Sequence, residues 1–125
     1  MSEAPLRGVV AGHGPLAKAL VDAAETITGV TGALTAVTNA GCDRALIEER
    51  VLQAIGDSPA LVFVDMATGS CFFAAMQAAR STGRIRVVTG VNLAMLVDFV
   101  FHRDLSPAEA AERASRTGAT AIRQP

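Results

Sequence analysis

Four short apolar segments constrain the fold of this chain more than any other feature. They are Arg7–Ala11, Ala33–Val37, Ala60–Asp65 and Ile85–Thr89, each bounded by glycine or polar residues and rich in Val, Leu, Phe or Ile. Segments of this length and composition are typical of buried β-strands. Between them, apolar residues recur at helical spacing, and a chain in which strands alternate with helices is expected to form a parallel sheet.

The predicted helices cover both faces of that sheet, because right-handed crossovers and continuously apolar strands leave neither face open to water. The apolar positions that define the helices are Leu16, Leu20, Ala23 and Ile27, then Ile47, Val51 and Ala54, then Phe72, Met76 and Ala79, and finally Leu93, Leu96, Val97 and Val100. We predict a small doubly wound α/β fold with a mainly parallel sheet. The 125 residues, of which 50% are apolar, fit one domain spanning residues 1–125.

The last third of the chain is predicted to be helical, except for a short segment at its end. Ser106 has the character of a helix N-cap, and Pro107 suits the first helical position. The glycine at position 118 is expected to end that helix. The remaining segment, Gly118–Arg123, is a candidate for an extra edge strand, either on this chain's own sheet or on that of a partner.

Composition and charge argue against several classes of partner. The formal net charge is −1, and Lys and Arg form no run that could serve a nucleic acid or an anionic membrane. Apolar stretches are only of strand length and Met1–Pro5 lacks the pattern of a signal peptide, so we expect a cytoplasmic protein without direct membrane insertion. Cys42 and Cys71 lack metal-ligand spacing, so we expect two reduced thiols, no metal and no other cofactor.

His13 is the leading candidate for a functional residue. It lies where the first predicted strand ends, at Gly12, and just before Pro15 begins a helix. The first N–H groups of a helix lack intrahelical partners and carry the positive end of its dipole, so a phosphoryl group on this imidazole would meet donors at once. The position therefore favours phosphoryl carriage, although an ordinary loop histidine is the alternative.

Asp65 is the candidate partner of His13. Ligands bind at the carboxyl ends of parallel strands, where the ends of the first and third predicted strands should meet. A histidine that attacks phosphorus needs a free lone pair, and a carboxylate that accepts from the other ring N–H fixes the tautomer and supports the cation that forms. The alternative for an acid at a strand end is a helix N-cap or a solvated turn residue.

Four more residues in the same loops are candidates for binding or for positioning the phosphoryl group. Gly14 and Ser70 can supply donors for its oxygens. Gly69 permits a close approach of the backbone or a positive φ, and Asn92 is suited to cap the following helix and to position its loop.

Other features have structural explanations or match a rival function poorly. His102 lies toward a helix end, where an imidazole commonly contacts free carbonyls, and Phe72, Phe73, Phe99 and Phe101 are interpreted as core or subunit contacts.

The segment Gly12–Ala17 also fits the G-x-G-x-x-A pattern of dinucleotide sites. However, the second strand lacks the acidic residue that would hold the ribose, and the chain is too short for a full dinucleotide fold.

Taken together, Gly12–Gly14 with Leu16–Leu20, then Val64–Ser70, then Gly90–Leu96 resemble the enzyme IIA component of the mannose/fructose-type bacterial phosphotransferase system. The resemblance spans nearly the whole chain. It implies a flavodoxin-like fold, often dimeric, that accepts a phosphoryl group from the phosphocarrier HPr and passes it to an enzyme IIB. It also implies that His13 carries the phosphoryl group and that Asp65 orients it.

The chain departs from the family pattern at several positions. Ala67 and Thr68 replace a bulky residue and a glycine, while Cys71 and Ala94 stand where proline is common. The sugar and the IIB partner are therefore left open. Two alternative functions also stay open at this point: a regulatory module that senses phosphorylation without sugar transport, and the phosphocarrier subunit of a dihydroxyacetone kinase.

Overall fold

This computed structural model describes residues 5–125. In this part of the chain, strands and helices alternate as far as the fourth strand. The strands are β1 (Arg7–Gly12), β2 (Leu34–Thr38), β3 (Ala60–Val64) and β4 (Ile85–Thr89). The helices are α1 (Leu16–Thr28), α2 (Arg44–Ile55), α3 (Ser70–Thr82), α4 (Leu93–Val100) and α5 (Pro107–Thr120). All four predicted strands are present, with bounds that differ by at most one residue.

The strands form one parallel sheet in the order β2-β1-β3-β4. The order reverses direction at β1, because the chain moves first to β2 on one side and then to β3 on the other. This is the arrangement of a doubly wound, flavodoxin-like α/β fold, and it confirms the predicted class. In such sheets the ligand site lies at the carboxyl ends of the strands that flank the reversal, which here are β1 and β3.

Two apolar cores cover the two faces of the sheet, because successive strand side chains point to opposite faces. Val10 and Phe63 pack on the face covered by α1, α4 and α5. Val9 and Val62 pack on the face covered by α2 and α3. Every residue of β3 is buried, as expected for a central strand covered on both sides.

The predicted buried faces of α1 and α3 were wrong by about one residue. Small side chains lie against the sheet: Ala17, Val21 and Ala24 in α1, and Cys71, Ala74, Ala75 and Ala78 in α3. Leu16 and Ile27, which the periodicity placed on the buried face of α1, are 42% and 59% exposed. Small residues let a helix approach a sheet closely, so the larger apolar side chains lie along the flanks of these helices.

The prediction of an edge strand at the C-terminus was also wrong for this chain's own sheet. Helix α5 continues through Gly118 to Thr120, and residues 121–125 add no strand to the sheet. A Cβ atom on Gly118 would meet Cε of Met95, the flexible end of that side chain, so the glycine lies in the contact between α5 and α4 and does not end the helix. The predicted start of α5 is confirmed, because Ser106 caps it in a reciprocal capping box with Glu109.

We expect Gly8→Ala to destabilise the fold by about 1–3 kcal/mol, the usual cost of overpacking a core. An added Cβ on this β1 residue would lie 2.6 Å from Leu34 Cδ2 and 2.7 Å from Phe99 Cε2, both buried. Gly118→Ala is the matched control. Its single close contact is the flexible end of Met95, and alanine favours helix by up to about 1 kcal/mol. Urea unfolding should therefore show the larger loss for Gly8→Ala; equal losses would contradict this account of the packing.

Candidate functional site

The site is built where β1 and β3 end side by side. Ala11 is paired with Val64 in the parallel register, so the next residues of both strands emerge at the same edge of the sheet. The backbone N–H of His13 donates to Oδ2 of Asp65 over 3.0 Å. This bond fixes the start of the loop after β1 to the carboxylate that follows β3.

The side chains of His13 and Asp65 are also directly joined. Nδ1 of the imidazole lies 2.7 Å from the same carboxylate oxygen, Oδ2. An ionised carboxylate can only accept, so Nδ1 carries the proton and Nε2 keeps a free lone pair. The His13 side chain is 45% exposed and that of Asp65 only 9%. The arrangement thus leaves the Nε2 lone pair accessible on the exposed ring, while the largely buried carboxylate of Asp65 binds the opposite side of the ring.

The ionisation of Asp65 follows from these contacts. Burial acts to raise its pKa, but the hydrogen bonds from the ring and backbone of His13 outweigh it and hold the pKa of the carboxyl below its ordinary value. The carboxylate is therefore charged at neutral pH. It can balance a positive charge that develops on the imidazole.

The N-terminus of α3 lies against the other edge of the His13 ring. Gly69, the N-cap of α3, has φ +93°, and a Cβ atom there would lie 3.9 Å from both Nε2 and Cε1 of the ring. No side chain of the described residues caps this helix, and its first intrahelical bond runs from Phe73 N to Gly69 O. The first N–H groups of α3, starting at Ser70, are thus available to an anion at Nε2. From the sequence, the helix that follows His13 was expected to provide the anion site, with Ser70 as a further donor.

Two residues at the end of β2 hold the His13 loop, and the sequence indicated neither role. Oδ1 of Asn39 accepts from Gly14 N at 3.0 Å, and the Thr38 hydroxyl donates to Gly14 O at 2.8 Å. The Gly14 N–H expected to serve a phosphoryl oxygen is therefore occupied by Asn39. The available signal was topological, since the ends of neighbouring parallel strands meet at one edge.

Asn92 positions a third loop of the site. Its Oδ1 accepts from Met95 N at 3.1 Å, which caps α4, and its Nδ2 donates to Gly118 O at 3.0 Å, which ties α4 to α5. The preceding Val91 N donates to Val64 O at 3.0 Å. The side chain of Asn92 is thus engaged in holding the loop beside β3, which is the capping role expected for it.

The second histidine lies elsewhere and has a structural environment. His102 Nδ1 lies 2.8 Å from the Asp98 carbonyl oxygen near the end of α4, as expected. The Asp98 carboxylate is held by Arg113 through bonds of 2.8 and 3.0 Å, which lower the pKa of that carboxyl. Of the four phenylalanines in question, Phe99 is buried in the core, whereas Phe73 and Phe101 are 46% and 59% exposed.

The structure also brings Cys71 to the His13–Asp65 pair. A ring nitrogen of His13, a carboxylate oxygen of Asp65 and Sγ of Cys71 all lie within 4.8 Å of one another. Sequence spacing did not indicate this cluster, because its members come from the ends of β1 and β3 and from the first turn of α3. Cys71 is buried, and burial together with the charges of Asp65 and Cys42 raises the pKa of its thiol to about 11. Both cysteines are free, as predicted.

Within residues 5–125, no helix has both the length and the apolar character needed to cross a membrane. A comparison with curated protein sequences gave no significant match. Solved structures, in contrast, match over nearly the whole chain. A mannose/sorbose-specific IIA subunit of the phosphotransferase system from Enterococcus faecalis is 23% identical, with a TM-score of 0.85 over 98% of this chain and 96% of that one.

Two further structures show the same fold. The phosphotransferase-system component EIIA from Streptococcus agalactiae is 18% identical, with a TM-score of 0.88 over 95% of this chain and 96% of that one. The IIA protein associated with the fucose utilization operon of Streptococcus pneumoniae is 22% identical, with a TM-score of 0.73 over 93% of each chain. The family model of the phosphotransferase-system fructose IIA component matches residues 8–115. The chain therefore belongs to the fructose IIA component family of the phosphotransferase system.

Proposed function

We propose that this protein accepts a phosphoryl group from phospho-HPr on Nε2 of His13 and passes it to an enzyme IIB. The observation that carries the proposal is the 2.7 Å bond between His13 Nδ1 and Asp65, which leaves Nε2 with a free lone pair beside the N-terminus of α3. Family membership supports phosphoryl carriage in general, and the geometry supports His13 as the carrier.

The proposed step is a direct displacement at phosphorus. The Nε2 lone pair of His13 forms the new N–P bond while the N–P bond to the donor breaks, and the departing donor nitrogen keeps the electron pair. The proton on Nδ1 stays in place, so the phosphorylated ring is cationic and the buried charge of Asp65 stabilises it. Transfer to IIB reverses these changes, and no proton has to leave the site.

The oxygens of the phosphoryl group need donors, and the first turn of α3 is suited to supply them. The helix dipole and the free N–H groups favour an anion there, and Gly69 leaves room for it beside Nε2. Ser70, the first residue of α3, is the proposed side-chain donor. Gly14 and Asn92 are proposed to position loops, because their polar groups are already engaged.

The proposal is tested by reconstitution. The protein is incubated with enzyme I, HPr and phosphoenolpyruvate, and then with candidate IIB proteins. We expect HPr-dependent labelling that is acid-labile and alkali-stable, as for a phosphoramidate, followed by transfer to a IIB. Labelling without transfer to any IIB would favour the regulatory alternative, and transfer to a dihydroxyacetone kinase subunit would favour the third function. No labelling by phospho-HPr would contradict the proposal.

The loop that carries His13 should depend on Asn39. Asn39→Ala removes the acceptor of the Gly14 N–H, a bond whose net contribution is about 1 kcal/mol, so we expect transfer to slow by about five- to tenfold. Rapid-quench kinetics with phospho-HPr would measure the rate. Gln53→Ala, in α2, is a control that should leave it unchanged. An unaltered rate in Asn39→Ala would show that the loop does not depend on this bond.

The assembly is proposed to be a cytoplasmic homodimer. Exposed Phe73, Phe101 and Ile122 offer apolar surface for a subunit contact. Light scattering at micromolar concentration should give about twice the chain mass of 12.9 kDa. A species with the mass of a single chain at micromolar concentration would contradict the dimer.

A further inference from the structure

We propose that His13, Asp65 and Cys71 form a binding site for Zn²⁺, and that the bound ion blocks phosphoryl acceptance at His13. The ion would act as a reversible inhibitor, because it occupies the imidazole that has to accept the phosphoryl group. The cluster supplies one nitrogen, one oxygen and one sulfur ligand within 4.8 Å of one another. Nitrogen, sulfur and carboxylate oxygen are the ligands that zinc prefers, and three of them leave a fourth position for water.

An unsatisfied atom of Asp65 points independently to a missing ligand. Its Oδ2 accepts two bonds from His13, but Oδ1 is buried and has no hydrogen-bond partner among the described residues. The side chain as a whole is only 9% exposed. A buried carboxylate oxygen without a partner is costly, and a divalent cation is one group that would satisfy it.

Charge and distance both suit this ion. An Asp65 carboxylate and a Cys71 thiolate together carry two negative charges, which Zn²⁺ neutralises, so a buried site of this kind has no net charge. Tetrahedral zinc with bonds of 2.0–2.3 Å places its ligand atoms roughly 3.5 Å apart. The widest separation in the cluster must therefore shorten by about 1 Å, and the half-exposed ring of His13 leaves the site open to the surface.

Binding explains inhibition through the tautomer of the imidazole. The ion binds Nδ1, the ring nitrogen that faces Asp65, and replaces the proton there. The neutral ring then carries its proton on Nε2, so the lone pair proposed to attack phosphorus is lost. Cys71 gives up its thiol proton, and coordination deprotonates such a thiol even when burial disfavours the free thiolate. The proton balance is one proton released for each ion bound.

The binding test uses the reduced, unphosphorylated protein at pH 8 and titrates it with Zn²⁺ and, separately, with Co²⁺. A bond between Co²⁺ and a thiolate produces an absorption band, which reports a sulfur ligand. We expect one ion per chain, release of about one proton in calorimetry across buffers, and a thiolate band. Cys71→Ala should lose the band and weaken binding by at least about tenfold. Cys42→Ala is the matched control and should retain both. His13→Ala changes an exposed loop side chain and should also weaken binding, so the test does not depend on one variant.

Three outcomes would overturn the site: no stoichiometric binding, unchanged affinity in both Cys71→Ala and His13→Ala, or loss of the band in Cys42→Ala alone. The proposed inhibition by Zn²⁺ rests on the proposed function, so it is measured in a separate experiment. Purified phospho-HPr should label wild-type protein more slowly with Zn²⁺, a chelator should restore the rate, and Cys71→Ala should show less inhibition relative to its own rate. If no labelling occurs even without Zn²⁺, the proposed function fails while the binding test still decides the site. Undiminished labelling at saturating Zn²⁺ would overturn the blocking role.

Discussion

Replacing His13 with alanine is expected to abolish phosphoryl acceptance from phospho-HPr. The change removes the nitrogen that the site presents with a free lone pair beside the N-terminus of α3. The fold should persist, because the side chain is 45% exposed and lies in a loop outside both cores. The Asp65 carboxylate keeps the backbone donor of His13 but loses the ring donor, so the free energy of unfolding should fall by about 1–3 kcal/mol.

The chain contains a matched control for this experiment. His102 is the other of its two histidines, and its Nδ1 contacts the Asp98 carbonyl and carboxylate near the end of α4. His102→Ala should accept label at the wild-type rate. Label retained in His13→Ala, or lost in His102→Ala while its fold is intact, would contradict the assignment.

Replacing Asp65 with asparagine is expected to slow phosphoryl transfer by about 10³-fold. Two donors of His13, the backbone N–H and Nδ1–H, both point at Oδ2, so the amide oxygen of asparagine should occupy that position and keep the tautomer. What is lost is the charge that balances the cationic ring. Two unit charges about 4 Å apart near a protein surface interact by about 4 kcal/mol, which corresponds to roughly 10³-fold in rate.

Asp98→Asn is the control for Asp65→Asn. The Asp98 carboxylate also has a histidine nitrogen 3.4 Å away, but Asp98 lies in α4 and is held by Arg113 of α5, so transfer should be unaffected. Single-turnover rates with phospho-HPr would compare the two variants. A tenfold or smaller effect in Asp65→Asn would show that the carboxylate mainly positions the ring and contributes little charge stabilisation.

The sequence was sufficient for the order of elements and for the pair of residues at the centre of the site. Short apolar runs identify buried strands, and parallel pairing of β1 with β3 then brings the residues after both strands together. His13 and Asp65 could be expected to meet for that reason. The buried faces of α1 and α3 could not be predicted, because periodicity favoured the large side chains Leu16 and Ile27, whereas small ones lie against the sheet.

The remaining misses have one physical cause in common, which is contact between elements distant in sequence. Asn39 holds Gly14 across the β1–β2 edge, and Cys71 reaches Asp65 from the first turn of α3. Gly118 was expected to break a helix, yet its small size is what lets α5 approach Met95. None of these contacts follows from local propensity, because each depends on which side chains the packing brings into range.

The most direct test of the central claim is to identify the nitrogen that carries the phosphoryl group. The protein, labelled with ¹⁵N in its histidines and phosphorylated by phospho-HPr, would be studied by ¹⁵N and ³¹P NMR under alkaline conditions. We expect a single phosphohistidine, with phosphorus on Nε2 of His13 and a proton on Nδ1 facing Asp65. Phosphorus on Nδ1 of His13, on His102 or on any other residue would contradict it.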